Sequence, residues 1–118
     1  MTIEQLIEQI RSRAQSIEFD DVMEVINTSY RYVETRFTNG VDDDLVVNEA
    51  GSNAGSCRIF AFGQLNGLNE AEILACFGRY YRNDVLANPM GTDHANIRTF
   101  MRHGLPGLCF DGQALQAR

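Results

Sequence analysis

Residues 19–29 read FDDVMEVINTS and residues 32–38 read YVETRFT, and the spacing of the apolar residues changes between these two stretches. In the first stretch, apolar residues recur every three or four positions and acidic residues fill the early turns, so the pattern predicts a helix. In the second stretch, Val33, Thr35 and Phe37 alternate with their neighbours, which predicts a strand. A helix that is followed directly by a strand indicates a fold that mixes the two kinds of element.

The predicted strand leads into a turn. Asn39-Gly40 is a frequent turn dipeptide, and an acidic run at residues 42–44 lengthens the connection before the apolar residues 45–47. We therefore predict an antiparallel hairpin, with residues 108–110 as a candidate third strand. The three aspartates lack the alternating spacing, the glycine and the distal glutamate of an EF-hand loop, so no calcium site is predicted there.

Four other segments show apolar stripes and capping residues that predict helices. They cover residues 3–14, a segment that starts in the 50–56 loop with Asn53 or Ser56 as its cap and runs to residue 65, residues 70–86 with Asn69 as the cap, and residues 93–103 followed by Gly104. The C-terminus is predicted to be frayed. These elements predict a mainly helical α+β fold, with about five helices and a small antiparallel sheet of two or three strands, in a single domain over residues 1–118.

The charge of the chain is acidic and unevenly distributed. The sequence has 16 acidic residues against 10 arginines, contains no lysine, and has a formal net charge of −6. Nucleic acids and anionic membrane surfaces bind through basic residues, so neither is an expected partner. The lack of lysine excludes Schiff-base chemistry and the lysine of a phosphate-binding P-loop. No apolar run approaches the ~20 residues of a membrane span, so we expect a soluble protein.

The three cysteines, Cys57, Cys76 and Cys109, are separated by 19 and 33 residues. These spacings match no zinc-binding motif. Because the start of the chain lacks the features of a secretory signal, we expect reduced thiols in a cytoplasmic protein, packed as small apolar residues. The two histidines lie nine positions apart, on opposite sides of one predicted helix, and we predict neither a metal nor a cofactor.

The small-residue loop at residues 50–56 is the first candidate site. A glycine-rich turn that enters a helix exposes backbone amides, and the positive end of the helix dipole attracts anions. Asn53 and Ser56 lie in this loop, and Arg58 follows in the first helical turn, where its guanidinium adds donors for a phosphate or carboxylate. The competing interpretation is that the glycines only allow the loop to pack closely.

The segment DHANIR, residues 93–98, is the second candidate site. On the predicted helix, His94 and Arg98 share a face, and a histidine near a helix start is favoured as a neutral base or ligand. Asp93 adds a carboxylate beside them. The competing interpretation is a helix cap with exposed charges.

Cys57 offers a possible nucleophile. A thiol at a helix N-terminus tends to have a lowered pKa, and a Cys57/His94 pair would supply a nucleophile and a base if the fold brought them together. The sequence itself contains no evidence for that contact.

Four stretches together resemble the HopJ type III effector family. They read TRFTNG (35–40), NEAGSNAGSCRIF (48–60), CFGRYYRNDVL (76–86) and DHANIRTFM (93–101), and the likeness extends in the same order from about residue 3 to residue 112. The family consists of small bacterial proteins and takes its name from plant-pathogen proteins delivered by type III secretion. It has no established biochemical activity, so the resemblance assigns no catalytic residues.

The family name is the only part of the resemblance that implies secretion. Delivered effectors usually start with a flexible polar segment, whereas this chain starts with a predicted capped helix, so we expect a cytoplasmic relative.

Two functional hypotheses follow. The first is a binding module for a protein partner or a small anionic ligand; the sequence carries no signal for an oligomeric state. Its candidate binding residues are Asn53, Ser56, Cys57, Arg58, Asp93, His94 and Arg98. The alternative is a small cytosolic enzyme that uses Cys57 or His94 at an anion-binding site. Both require the 50–56 loop and the 93–98 segment to adjoin in space.

Overall fold

A computed structural model describes residues 1–118. In chain order the elements are α1 (Ile3–Ser12), α2 (Phe19–Ser29), β1 (Tyr30–Tyr32), β2 (Phe37–Asn39), β3 (Val46–Asn48), α3 (Ala54–Leu65), α4 (Glu70–Ala75), a π-helical segment (Tyr80–Val85), α5 (Ala95–His103), β4 (Cys109–Phe110) and β5 (Leu115–Ala117). Short 3₁₀ turns occur at Ala14–Ser16, Asp42–Asp44 and Leu105–Gly107. The fold is α+β and mainly helical, as predicted. None of the helices combines the length and the apolar character that a membrane crossing requires.

The helix starts that carry local capping signals agree with the sequence analysis. At α1, the Thr2 hydroxyl accepts from the Gln5 amide at 3.1 Å, and the Gln5 side chain accepts from the Thr2 amide at 2.9 Å. Asn69 and Glu72 form the same reciprocal pair at α4. The bounds of α2 are those predicted. Each reciprocal pair satisfies two amides that a helix start would otherwise leave without a partner, which explains why short sequence signals suffice here.

The predicted strand over residues 32–38 divides between two small antiparallel sheets. β2 pairs with β3 on one side and with β4 on the other, so the predicted hairpin and third strand are both present. β1 pairs instead with β5, placing Tyr30 opposite Ala117. The prediction of a frayed C-terminus is therefore wrong. The buried side chain of Leu115 and the backbone bonds to β1 hold this end of the chain in place.

The helix predicted over residues 70–86 is interrupted. Gly78 has φ +58°, and a Cβ there would lie 2.7 Å from the backbone nitrogen of Phe19, so the chain approaches the start of α2 more closely than any side chain would permit. Beyond this point the backbone winds into the π-helical segment. The predicted start of the last helix at Asp93 is also wrong, because His94 is left-handed at φ +52° and α5 begins at Ala95.

Helix α3 lies at the centre of the molecule. Its residues Ile59, Phe60 and Phe62 are fully buried. The ring of Phe60 lies 5.0 Å from that of Phe100 and 5.5 Å from that of Phe77, so one side chain of α3 contacts both α5 and the turn that follows α4. Burying such rings removes a large apolar area from water and makes α3 the element on which the others pack.

The contact between α3 and α4 depends on the absence of a side chain at Gly63. A Cβ at this position would lie 2.4 Å from Cγ1 and 2.6 Å from Cδ1 of the buried Ile73. We expect Gly63→Ala to lower the free energy of unfolding by about 1–3 kcal/mol through overpacking, as measured by urea denaturation.

The Ile73→Ala background supplies the control for this substitution. It removes both clashing atoms, and alanine is intrinsically better than glycine in a helix by about 0.5–1 kcal/mol. In that background Gly63→Ala should therefore stabilise the protein. If Gly63→Ala changed the free energy of unfolding in the same direction in both backgrounds, this result would contradict the proposed contact.

Asp44 connects the 42–44 turn to the end of α5. Its carboxylate accepts from Arg102 at 2.7 and 3.0 Å and lies 2.8 Å from His103 Nε2. These hydrogen bonds, first of all those from Arg102, lower the pKa of Asp44 from its ordinary value to about 2. The charged form of Asp44 is therefore favoured in the folded protein.

A lowered pKa makes a stabilising contribution that exists above the unfolded pKa and is lost on acidification. The difference in free energy of unfolding between the wild type and Asp44→Asn should shrink as the pH falls from about 5 through about 4 towards 2. The exposed neighbour Asp43, replaced by asparagine, is the control and should show no such change. A difference that does not vary with pH would show that the ion pair is not its source.

Candidate functional site

Four asparagine side chains connect the segments that surround the candidate site. The amides of Asn48 and Asn96 bond reciprocally, at 3.1 and 2.8 Å, and both side chains are buried. Asn39 donates to the backbone oxygen of Asn96 at 2.9 Å, and Asn53 donates to Asn48 Oδ1 at 2.7 Å. This network fixes the ends of β2 and β3 against the starts of α3 and α5.

A cleft of about 230 Å³ lies between those two helix starts. Its apolar wall consists of Phe19, Phe77, Tyr80 and Ile97. Its polar lining consists of Asn53, Gly55, Ser56, His94 and Asn96. The 50–56 loop and the 93–98 segment therefore adjoin, which is the spatial relation that both functional hypotheses require.

The start of α3 leaves its first amides without acceptors. Asn53 precedes the helix in the left-handed conformation, at φ +50°. Its side chain accepts no capping hydrogen bond, and its Nδ2 donates to Asn48 Oδ1. Asn53 was predicted as a possible cap. It occupies the cap position, but its side chain does not form the capping hydrogen bond. The amides of residues 54–56 have no hydrogen-bond acceptor in the protein.

The start of α5 repeats this arrangement. His94 precedes the helix with φ +52° and makes no capping bond, and the amides of residues 95–97 have no acceptor. Gly55 and Ser56 of one helix start and Asn96 and Ile97 of the other line the same cleft. Two positive helix ends thus meet at one cavity, and each carries unpaired N–H donors.

The ring of His94 is held from two sides by the π-helical segment. Its Nε2 lies 2.9 Å from Asp84 Oδ2, and the Tyr80 ring is 5.3 Å from the imidazole. Tyr80 and Asp84 are four positions apart on the wide π-helical turn, a geometry that is rare and often found at functional sites. Nδ1 of His94 has no hydrogen-bond partner in the protein.

Arg98 is buried and bonds within the protein. It donates to the backbone oxygen and to Oδ1 of Asp93, both at 2.6 Å, and to the backbone oxygen of Asn88 at 2.9 Å. The guanidinium of Arg98 lowers the pKa of Asp93 below its ordinary value. The predicted common face of His94 and Arg98 is wrong, because His94 lies outside the helix.

Cys57 and Arg58 do not line the cleft. The Cys57 thiol is buried and points to the backbone oxygen of Thr35 at 3.8 Å, and burial raises its pKa. Arg58 places its guanidinium carbon 4.0 Å from the centre of the Tyr32 ring. The expectation of a lowered thiol pKa at this helix start is therefore wrong, because desolvation has the largest effect on the pKa of Cys57.

Of the seven candidate residues, Asn53, Ser56 and His94 line one cleft; Asp93 Oδ2 lies 3.8 Å from His94 Nε2, and Arg98 bonds to Asp93. The sequence analysis missed the buried Asn48 and Asn96, and it also missed Asp84. A sequence signal for the two asparagines did exist, because each is a polar residue that lies next to apolar residues at the end of a predicted element. Asp84 had none, because it lies in a segment that was predicted to be regular helix.

The chain belongs to the HopJ family. The family model described as "HopJ type III effector protein" matches residues 3–115. Among solved structures, the chain is similar to the crystal structure of unknown function protein VPA0580, with 45% sequence identity and a TM-score of 0.94. That match covers 100% of this chain and 95% of the other. A comparison with curated proteins finds no match.

The burial of the thiols predicts their reactivity. Cys57 and Cys76 are buried, and burial raises the pKa of Cys76 to about 12, whereas Cys109 is exposed. In the native protein we expect a disulfide reagent such as Ellman's reagent to modify one thiol rapidly, and Cys109→Ser to abolish that reaction. The remaining thiols should react only on denaturation. Rapid modification of Cys57 in the native Cys109→Ser protein would contradict its assignment as an inert core residue.

Proposed function

We propose that this HopJ protein is a binding module that takes a small anionic ligand in the cleft between the starts of α3 and α5. The observation that carries the proposal is the meeting of two helix N-termini at this cleft, with the amides of residues 54–56 and 95–97 all lacking acceptors. A phosphate or carboxylate supplies the oxygen acceptors that these donors lack, and the helix dipoles favour its charge.

The size and the walls of the cleft limit the class of ligand. Its volume of about 230 Å³ lies below the range of about 300–1,000 Å³ that accommodates drug-sized molecules. The rings of Phe19 and Tyr80 pack edge to face, with 5.0 Å between their centres, and form an apolar wall beside the amides. The cleft therefore suits a compact anion with a small apolar part, either as a free molecule or as an acidic side chain of a partner protein.

The charges near the cleft are compatible with an anion. Asp93, which is the acidic residue next to His94 in the sequence, is paired with Arg98 at 2.6 Å, and neither Asp93 nor Asp84 lines the cleft. Residues 51–118 carry six arginines and five acidic residues, so this part of the chain lacks the acidic excess of residues 1–50.

The alternative function is an enzyme in which His94 acts on the bound anion. One observation favours it: Asp84 orients the ring through Nε2 and leaves Nδ1 free as a proton acceptor, which is the arrangement of a general base with its orienting carboxylate. Cys57 is the weaker choice as the reactive group because its thiol is buried outside the cleft. Turnover of an ester or amide probe that is lost in His94→Asn would favour this alternative.

We propose a cytoplasmic location and a single domain over residues 1–118. All three cysteines are free thiols, which is typical of proteins in reducing compartments. Membership of the HopJ family is consistent with secretion, which is the alternative.

The substitution Ser56→Asp separates anion binding from stability. A carboxylate in the first turn of α3 should repel an anion from the cleft, yet it interacts favourably with the helix dipole and should leave the thermal midpoint unchanged or raise it. We expect inorganic phosphate to shift the amide resonances of residues 54–56 and 95–97 in the wild type, and Ser56→Asp to weaken this binding by at least about tenfold, roughly 1.4 kcal/mol.

Two controls complete the titration. Gln15→Glu adds the same charge at an exposed position outside the cleft lining and should bind phosphate as the wild type does. Sodium chloride at matched ionic strength measures general salt effects. Equal phosphate shifts in all three proteins, or shifts confined to exposed arginines, would refute an anion site in the cleft.

A further inference from the structure

Beside the cleft, three side chains bring metal-binding atoms together. Asp84, Asp93 and His94 each offer one ligand atom, and these three atoms lie within 4.8 Å of one another. His94 Nε2 is 2.9 Å from Asp84 Oδ2 and 3.8 Å from Asp93 Oδ2. From this geometry we infer that Asp84, Asp93 and His94 form a binding site for a divalent transition-metal cation such as Zn²⁺ or Mn²⁺.

The hydrogen bonds of the three side chains leave lone pairs available to coordinate a cation. A neutral imidazole has one N–H, and in the tautomer that carries the hydrogen on Nε2 this hydrogen is directed to Asp84. Asp93 Oδ2 receives no hydrogen bond, because Arg98 donates only to Oδ1 and to the backbone oxygen. Two carboxylates thus face one imidazole, and a cation would coordinate all three groups.

Arg98 positions the carboxylate of Asp93 for this role. The arginine is 9% exposed, and its bonds to Asp93 and to the backbone oxygen of Asn88 hold the loop that carries Asp93. Asp84 is anchored as well, since its backbone oxygen accepts from the Asn88 side chain at 3.2 Å. Outer contacts of this kind fix the direction of metal ligands and raise the affinity of a site.

Coordination requires only small changes in the three side chains. Around a cation with ligand bonds of about 2.0–2.2 Å, neighbouring donor atoms lie about 3–3.5 Å apart, which rotation about side-chain bonds achieves from the observed spacing. The imidazole must move its hydrogen to Nδ1, which has no partner to lose. Three protein ligands leave further coordination positions open to water or to another ligand.

The donor set indicates which cation fits. One imidazole nitrogen with two carboxylate oxygens suits Zn²⁺ or Mn²⁺ better than Ca²⁺, which prefers six or more oxygen ligands. The inference stands independently of the anion proposal, because it concerns side chains that bond to each other rather than the helix amides.

Isothermal titration calorimetry with Zn²⁺ tests the site in phosphate-free buffer, using the full chain with Cys109→Ser so that the exposed thiol does not compete. We expect one equivalent of Zn²⁺ to bind, and both His94→Asn and Asp84→Asn to weaken the binding by at least about tenfold. Asparagine is the chosen replacement at His94 because it tolerates the left-handed backbone of that position. Asp84→Asn keeps a hydrogen-bond acceptor for the imidazole and serves as the second variant.

His103→Asn is the matched control. His103 also bonds to an aspartate, at 2.8 Å from Asp44, but it belongs to no group of three ligands. Its replacement should change Zn²⁺ affinity by less than about twofold. With Mn²⁺ as the probe, paramagnetic broadening should affect the ring resonances of His94 before those of His103.

Absence of Zn²⁺ binding up to about 1 mM, or equal affinity in the wild type and His94→Asn, would overturn the inference. Broadening centred on the exposed aspartates of the 42–44 turn would overturn it too. Because no phosphate is present, these results are independent of the phosphate titration, and each of the two proposals can fail without the other.

Discussion

The reciprocal amide pair of Asn48 and Asn96 is the interaction on which the site depends. The two residues are separated by 48 positions in the sequence, and their bonds join the end of β3 to the start of α5 inside the protein. A buried amide that loses its partner costs about 1–3 kcal/mol, so each member of the pair requires the other. Asn39 and Asn53 attach to this pair, and the positions of β2 and α3 relative to α5 follow from it.

The network also explains why the two helix starts remain open. A helix N-terminus is usually capped by the side chain of the residue that precedes it. Asn53 directs its side chain to Asn48, and His94 directs its ring to Asp84, so neither caps the helix that it precedes. Both residues adopt the left-handed conformation, which is unfavourable for most residues with a side chain and is tolerated best by types such as asparagine and histidine. The bonds that orient these side chains offset that strain and leave the amides available.

The arginines show how an acidic chain without lysine distributes its cations. Arg98 and Arg102 lie four positions apart on α5, but their side chains contact different segments of the chain. Arg98 is buried and anchors the loop before the helix, whereas Arg102 reaches the half-buried Asp44 of the 42–44 turn. A planar guanidinium donates in several directions at once, so each arginine joins two segments that a single ammonium charge would not hold in register. Arg98 was assigned to ligand binding because it was predicted to share a helix face with His94, and the backbone acceptors that it contacts have no sequence signature.

Local sequence signals were enough to predict several of the elements. The capping pairs of α1 and α4, the period of α2 and the hairpin were predictable because each depends on residues a few positions apart. Three features depend on the packing of the whole chain: the break in the helix predicted over residues 70–86, the pairing of β5, and the set of side chains that face the cleft. Gly78 is left-handed because the start of α2 packs against it, and Asp84 reaches His94 because a π-helical turn intervenes. These outcomes depend on contacts between distant segments, and no local pattern of residues records which segments will meet.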